Sequence, residues 1–190
     1  MSEALGRIQS VPENRKKLLK QELEPIKDRI LLFLDGNHEA RSKKSNDESP
    51  TEDIAEYFGK EYRQDDAYLQ LRIGKNDHGK PVSYIIYCTH GSGGGKRPGA
   101  TINNLELLTL GHWAEIYILA HFHRKLGYKA VMEMPDPRNK RVETSEMLYV
   151  VSSSFQDFGG YAAKKMMRPS ALGSTPIYLS GREKYFEVRI

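Results

Sequence analysis

Two histidines one residue apart, His121 and His123, close a short apolar run in Ile116-Tyr117-Ile118-Leu119-Ala120-His121-Phe122-His123-Arg124. If the run is a strand, its period of two sends both imidazoles off one face just past the strand end. Two imidazoles aimed together are the beginning of a metal site. Two further apolar runs end in residues of the same chemistry. Ile30 to Leu34 leads to Gly36-Asn37-His38-Glu39, and Tyr84 to Cys88 leads to Thr89-His90-Gly91. Loops at strand ends are where open α/β sheets carry their sites. Imidazole nitrogens with an amide oxygen suit borderline divalent ions such as Zn, Mn, Fe or Ni. A pair of such ions about 3.5–4 Å apart is suited to phosphate-ester hydrolysis, where attacking and leaving oxygens both need stabilisation. Arg41, just after Gly36-Asn37-His38-Glu39, is a candidate contact for the phosphate.

Taken in order, Gly36-Asn37-His38-Glu39, Thr89-His90-Gly91 and His121-Phe122-His123 resemble the last three metal motifs of the calcineurin-like metallophosphoesterases. The stretch His90-Gly91-Ser92-Gly93-Gly94-Gly95 further resembles members of that family found in phages and prophages. The resemblance spans essentially the whole chain. It implies an α/β fold, a layered α-β-β-α sandwich, and metal-dependent hydrolysis of phosphomonoesters or phosphodiesters, with nucleic acid among the candidate substrates. It also implies the roles. Asn37, His90 and His121 would hold one divalent metal and His123 the other. His38 would stand beside the scissile phosphate and protonate the leaving group or stabilise its charge. Glu39 would orient the His38 ring.

Two departures from the family pattern set further expectations. Ala120-His121-Phe122-His123 stands where Gly-His-Thr-His is usual, so Phe122 replaces a hydroxyl. The family's opening Asp-x-His and Gly-Asp-x-x-Asp motifs do not occur before Gly36, and Asp35 belongs to the third motif. The resemblance therefore implies an N-terminally truncated version of the fold, one domain over residues 1–190 with its first β-α-β portion missing. One metal or none would be held, and activity of this chain alone would be weak or absent. A strand edge and an apolar face would be left open. An oligomer or a separately encoded N-terminal piece would complete the site. Two other readings stand beside the enzyme: an inactive remnant that binds at most one metal, and a basic nucleic-acid-binding module. The module lacks the interleaving of aromatic and basic residues that stacks bases.

The elements that must position these residues follow from periodicity. Residues 12–27 read as a helix, with Leu18, Leu19, Leu23 and Ile26 at helical spacing. Residues 30–34 read as a buried parallel strand. Residues 39–51 are a polar loop, and residues 51–58 a short helix with Thr51 as N-cap. Leu69, Leu71 and Ile73 alternate as a strand, Asn76-Asp77-His78-Gly79 turns, and residues 82–88 return. A helix is expected over 102–112 and strands over 116–119, 128–134, 146–152, 176–179 and 185–190, with a turn at 135–140 and a loop at 156–173. Strands alternating with helices, then a strand-rich second half, fit a layered α/β domain.

Composition narrows the remaining classes. The 190 residues suffice for one core burying about 68–70% of the unfolded surface. Lys and Arg number 29 against 25 Asp and Glu, a net charge of +4 that permits but does not demand a phosphate-bearing partner. Cys88 is the single cysteine, which excludes an internal disulfide, and its apolar setting reads as core rather than nucleophile. No apolar run approaches the ~20 residues of a membrane span, so a soluble, cytoplasmic chain is expected. Gly91-Ser92-Gly93-Gly94-Gly95-Lys96 is one residue short of a phosphate-binding P-loop, and Arg97 stands where Ser or Thr would hold magnesium. The glycines read instead as backbone passing close to the site. His78 reads as a solvated turn residue and His112 as a helix-end cap.

Overall fold

The computed structural model describes residues 12–37, 39, 49–93, 95, 97–155 and 171–190. The chain divides into two compact units, Met1–Asp65 and Asp66–Ile190.

In the first unit, helix α1 (Pro12–Leu23) runs into a 3₁₀ helix, Glu24–Arg29. The single helix expected over 12–27 changes type here because Pro25 has no N–H to donate and its ring crowds the carbonyl of Gln21. Strand β1 (Leu32–Leu34), helix α2 (Pro50–Phe58) and strand β2 (Glu61–Arg63) follow. The cap of α2 is Ser49 rather than Thr51. Its hydroxyl accepts from the Glu52 N–H at 3.2 Å, and Pro50 fills a first-turn position that needs no donor. β1 and β2 pair in parallel, Leu32 opposite Glu61 and Leu34 opposite Arg63. All three β1 residues are only half-buried, and Leu31 before them is 54% exposed. That is thin cover for a parallel pair, which is normally buried on both faces.

The second unit holds β3 (Asp66–Ile73), β4 (Val82–Thr89), α3 (Pro98–Leu107) with a 3₁₀ turn at Leu108–Leu110, and β5 (Ile116–Leu119). β6 (Leu126–Asp136), β7 (Arg141–Val151), β8 (Ile177–Leu179) and β9 (Phe186–Val188) complete it. Five strands form one mixed sheet in the order β3-β4-β5-β7-β6. β4, β5 and β7 are parallel, and the two edge strands are antiparallel to their neighbours. The α/β class expected from sequence is thus observed. The helix expected over 102–112 begins earlier, because Pro98 is an N-terminal residue of α3 rather than part of the glycine-rich loop. The strand expected over 146–152 begins at Arg141. Its outer half is largely exposed and polar, so no apolar run announces it.

Each face of the sheet has its own core. On one, five tyrosines stand in register across all five strands: Tyr68 opposite Tyr87, Tyr87 opposite Tyr117, Tyr117 opposite Tyr149 and Tyr149 opposite Tyr128. The Tyr117–Tyr149 and Tyr149–Tyr128 rings stack with centroids 5.1 and 4.9 Å apart. Leu105 of α3 packs into this cluster. On the opposite face, Tyr84, Ile86, Ile116, Leu148 and Val150 pack with Phe186 of the β8–β9 hairpin. The Tyr84 hydroxyl lies 2.7–3.0 Å from the carbonyls of Ser180, Glu183 and Tyr185 and accepts the Tyr185 N–H at 3.2 Å, so one side chain fastens the hairpin turn to the sheet. No helix among the described residues is long and apolar enough to cross a membrane.

Candidate functional site

Three adjacent parallel strands stop at the same level. Thr89 of β4, Leu119 of β5 and Val151 of β7 are direct neighbours in register. The residues that follow them therefore leave from one carboxyl edge of the sheet, the usual place for an α/β site. His90 follows β4, and His121 and His123 follow β5. The ladder continues one step past the strands: the Ala120 N–H donates to the Thr89 carbonyl at 3.2 Å and the Ser152 N–H to the Leu119 carbonyl at 2.8 Å.

His121 and His123 do not project as extended-strand neighbours. Both have left-handed backbones, with φ of 68° and 50°. The Phe122 N–H donates to the Ala120 carbonyl at 2.8 Å, which with the positive φ makes His121 the centre of the rare, strained form of γ-turn. Phe122 itself is buried, 6% exposed, in the core beside Leu105 and Tyr117. Phe122 is therefore an apolar anchor that drives the turn inward between the two histidines.

The geometry brings His90 and His121 together. His121 Nδ1 lies 3.2 Å from His90 Nε2, and His121 Nε2 lies 2.8 Å from the Gly93 carbonyl oxygen. A carbonyl only accepts, so Nε2 carries the His121 proton. In the neutral ring, Nδ1 then holds a lone pair toward His90. This is the arrangement found around metal-binding histidines, where the remote N–H is fixed by a carbonyl. Imidazole nitrogens are donors of the kind that borderline divalent ions take, so His90 and His121 are the residues that would hold such an ion here. Without metal, their 3.2 Å separation serves a hydrogen bond from His90 to His121.

The glycine-rich loop supports this pair through the Gly93 carbonyl. Gly91 has φ of 75°, and a Cβ there would come within 2.3 Å of the Leu119 side chain, so no other residue fits without displacement. Arg124 closes the arrangement from the other side. Its guanidinium donates to the Gly95 carbonyl at 3.3 Å and the Phe122 carbonyl at 3.4 Å, tying the glycine loop to the turn after β5. The sequence reading passed over Arg124; its place directly after His123 was the available signal.

The remaining candidates lie in the first unit. Asn37 and Glu39 are described there, both half-buried, while His38 and Arg41 lie outside the described residues. Asp35, just past β1, is buried at 3% exposure. Ser49 donates to its two oxygens at 2.9 and 3.2 Å, and the Tyr62 hydroxyl donates at 2.6 Å. That carboxylate joins the start of α2 to β2, which gives Asp35 a structural task. Among the described residues, no three His, Cys, Asp or Glu side chains gather into a metal-ion group.

Three other sequence candidates find settled places. His112 does not cap a helix with its side chain; it stacks on Tyr87 with centroids 4.1 Å apart and lies 3.2 Å from the Tyr68 hydroxyl and 3.1 Å from that of Tyr87. Cys88 is half-buried, its thiol donating to the Ala67 carbonyl at 3.5 Å. Burial raises its pKa, which disfavours the nucleophilic thiolate. His78 is exposed in the β3–β4 turn. No protein-family model matches the chain, and no curated protein or solved structure matches it either.

Proposed function

We propose that this chain is a divalent-metal-dependent phosphoesterase of the calcineurin-like metallophosphoesterase type, in which His90 and His121 hold one metal. The observation that carries the reading is the approach of His90 Nε2 to His121 Nδ1 at a sheet edge, with the far nitrogen of His121 held by Gly93. The α-β-β-α layering of that family and the roles of Asn37, His123, His38, Glu39 and Arg41 are part of the same proposal. When bound, a divalent ion would supply positive charge against the phosphoryl oxygens. The chain's own residues do the rest. The γ-turn and Gly93 orient His121, and His90 completes the pair. Arg124, a fixed guanidinium beside that loop, adds positive charge that favours an anionic ester.

Two imidazoles hold an ion less firmly than three or four ligands. The expected result is at most one bound Mn or Zn per chain and slow, metal-dependent hydrolysis of bis-(p-nitrophenyl) phosphate. His90→Ala and His121→Ala should each lower metal affinity by at least about tenfold, in keeping with the loss of a ligand or its orienting partner, and return hydrolysis to background. Metal binding and hydrolysis unchanged in both variants would sink the proposal.

A further inference from the structure

The first unit carries a groove of about 410 Å³ lined by Lys16, Lys17, Lys20 and Gln21 of α1, Glu24 of the 3₁₀ helix and Tyr57 of α2. Lys17, Lys20, Gln21 and Glu24 recur at i, i+3, i+4 and i+7, the spacing of one helix face. In a helix packed on a core, that spacing belongs to leucines. Here the lysines line the groove, while Leu18 and Leu19 are 41% and 44% exposed. Two of the groove's charges are already matched. Lys16 pairs with Asp53 of α2, and Glu24 pairs with Lys27 at 2.5 Å. Lys17 and Lys20 therefore set its sign. The Lys20 ammonium stands 4.5 Å from the centre of the Tyr57 ring, a cation–π contact that holds it at the groove. Tyr57 remains 58% exposed.

We infer that this groove binds single-stranded nucleic acid, with Lys17 and Lys20 on successive phosphates and Tyr57 offering its open surface to a base. Ammonium groups that track a backbone beside an exposed aromatic ring are the two components of such sites. The sequence conceals the pattern, because the lysines and the tyrosine lie on different helices and meet only in the fold. The inference stands on the first unit alone and does not rest on hydrolysis at the histidine pair.

Fluorescence anisotropy of a labelled thymidylate oligomer tests it, using the full chain with EDTA present so that metal chemistry plays no part. The wild type should bind at low salt, with affinity falling as salt rises. The double variant Lys17→Gln/Lys20→Gln should bind at least about tenfold more weakly, and its log–log salt slope should fall by about 1.4, the value for two lost single-strand phosphate contacts. Tyr57→Ala should weaken binding by about fivefold or more, with Tyr57→Phe close to wild type. Lys75→Gln/Lys80→Gln, the same charge change in the exposed β3–β4 turn, should have little effect. Thermal melting confirms that each variant is folded. A wild type that does not bind the oligomer, or a Lys17/Lys20 variant no weaker than the Lys75/Lys80 variant, would overturn the inference.

Discussion

The two sheets of this molecule are built to different standards. The five-stranded sheet of the second unit carries a core on each face, and Tyr84, Tyr117, Ile116 and Leu148 at its centre are fully buried. The β1–β2 pair of the first unit has two strands of three residues, with every β1 side chain half-exposed. Two-stranded sheets are marginal unless packed by other elements. The difference bears on function. His90 and His121 leave strands that cannot easily shift, whereas Asn37 follows a strand with little cover of its own.

The largest test of that contrast is a pair of leucine truncations. Leu148→Ala in the buried sheet should cost about 3–5 kcal/mol, because the loss of a buried side chain is compounded by the cavity left behind. The denaturant midpoint followed by Trp113, the single tryptophan of the chain and part of the second unit, reads this. Leu34→Ala in β1 removes a half-exposed side chain and should cost only about 1 kcal/mol, read as faster amide exchange across β1 and β2. Similar costs at the two positions would abolish the distinction between the sheets.

A finer cut removes a single oxygen from the better sheet. Tyr84→Phe keeps the ring but leaves the Tyr185 N–H and the turn carbonyls without their hydroxyl partner. A lost hydrogen bond of this kind costs about 0.5–1.5 kcal/mol, and the loss should concentrate in the β8–β9 hairpin, seen as local loss of exchange protection. Uniform destabilisation of the whole second unit, with the hairpin no more affected than β5, would mean that the hydroxyl is not its fastening.

How much of this was legible in sequence follows the same division. The run at residues 116–119 matched β5 at both ends because a strand with parallel neighbours on both sides is apolar throughout and cannot hide. The outer half of β7 and the true start of α3 escaped, since one is exposed and polar and the other opens at Pro98 beside a glycine run. The tyrosine ladder was invisible, because residues 68, 87, 117, 149 and 128 share no spacing and only strand register aligns them. At the candidate site, the placement of His90 and His121 at adjacent strand ends was readable from two apolar runs. The left-handed turn was not. An alternating histidine pair suggests extended backbone, and it is the burial of Phe122 that reverses the chain there.

That turn permits the subtlest test, which separates the strain at His121 from its chemistry. A left-handed backbone costs an L-residue about 1–2 kcal/mol, and glycine adopts it freely. His121→Ala keeps the strain and loses the imidazole; His121→Gly loses both. Metal binding should therefore fall equally in the two variants. In stability they should part: His121→Gly should exceed His121→Ala by about 0.5–1 kcal/mol, reduced from the full strain by the greater freedom of glycine in the unfolded chain. A glycine variant no more stable than the alanine one would show that the turn is not held left-handed in solution, and the aim of His121 at His90 would then need another cause. A more stable glycine variant would mean that histidine stands at this position against the preference of the backbone. Residues held in unfavourable backbone regions cluster at functional sites, so that outcome would tie the strain to the ring and to what the ring binds.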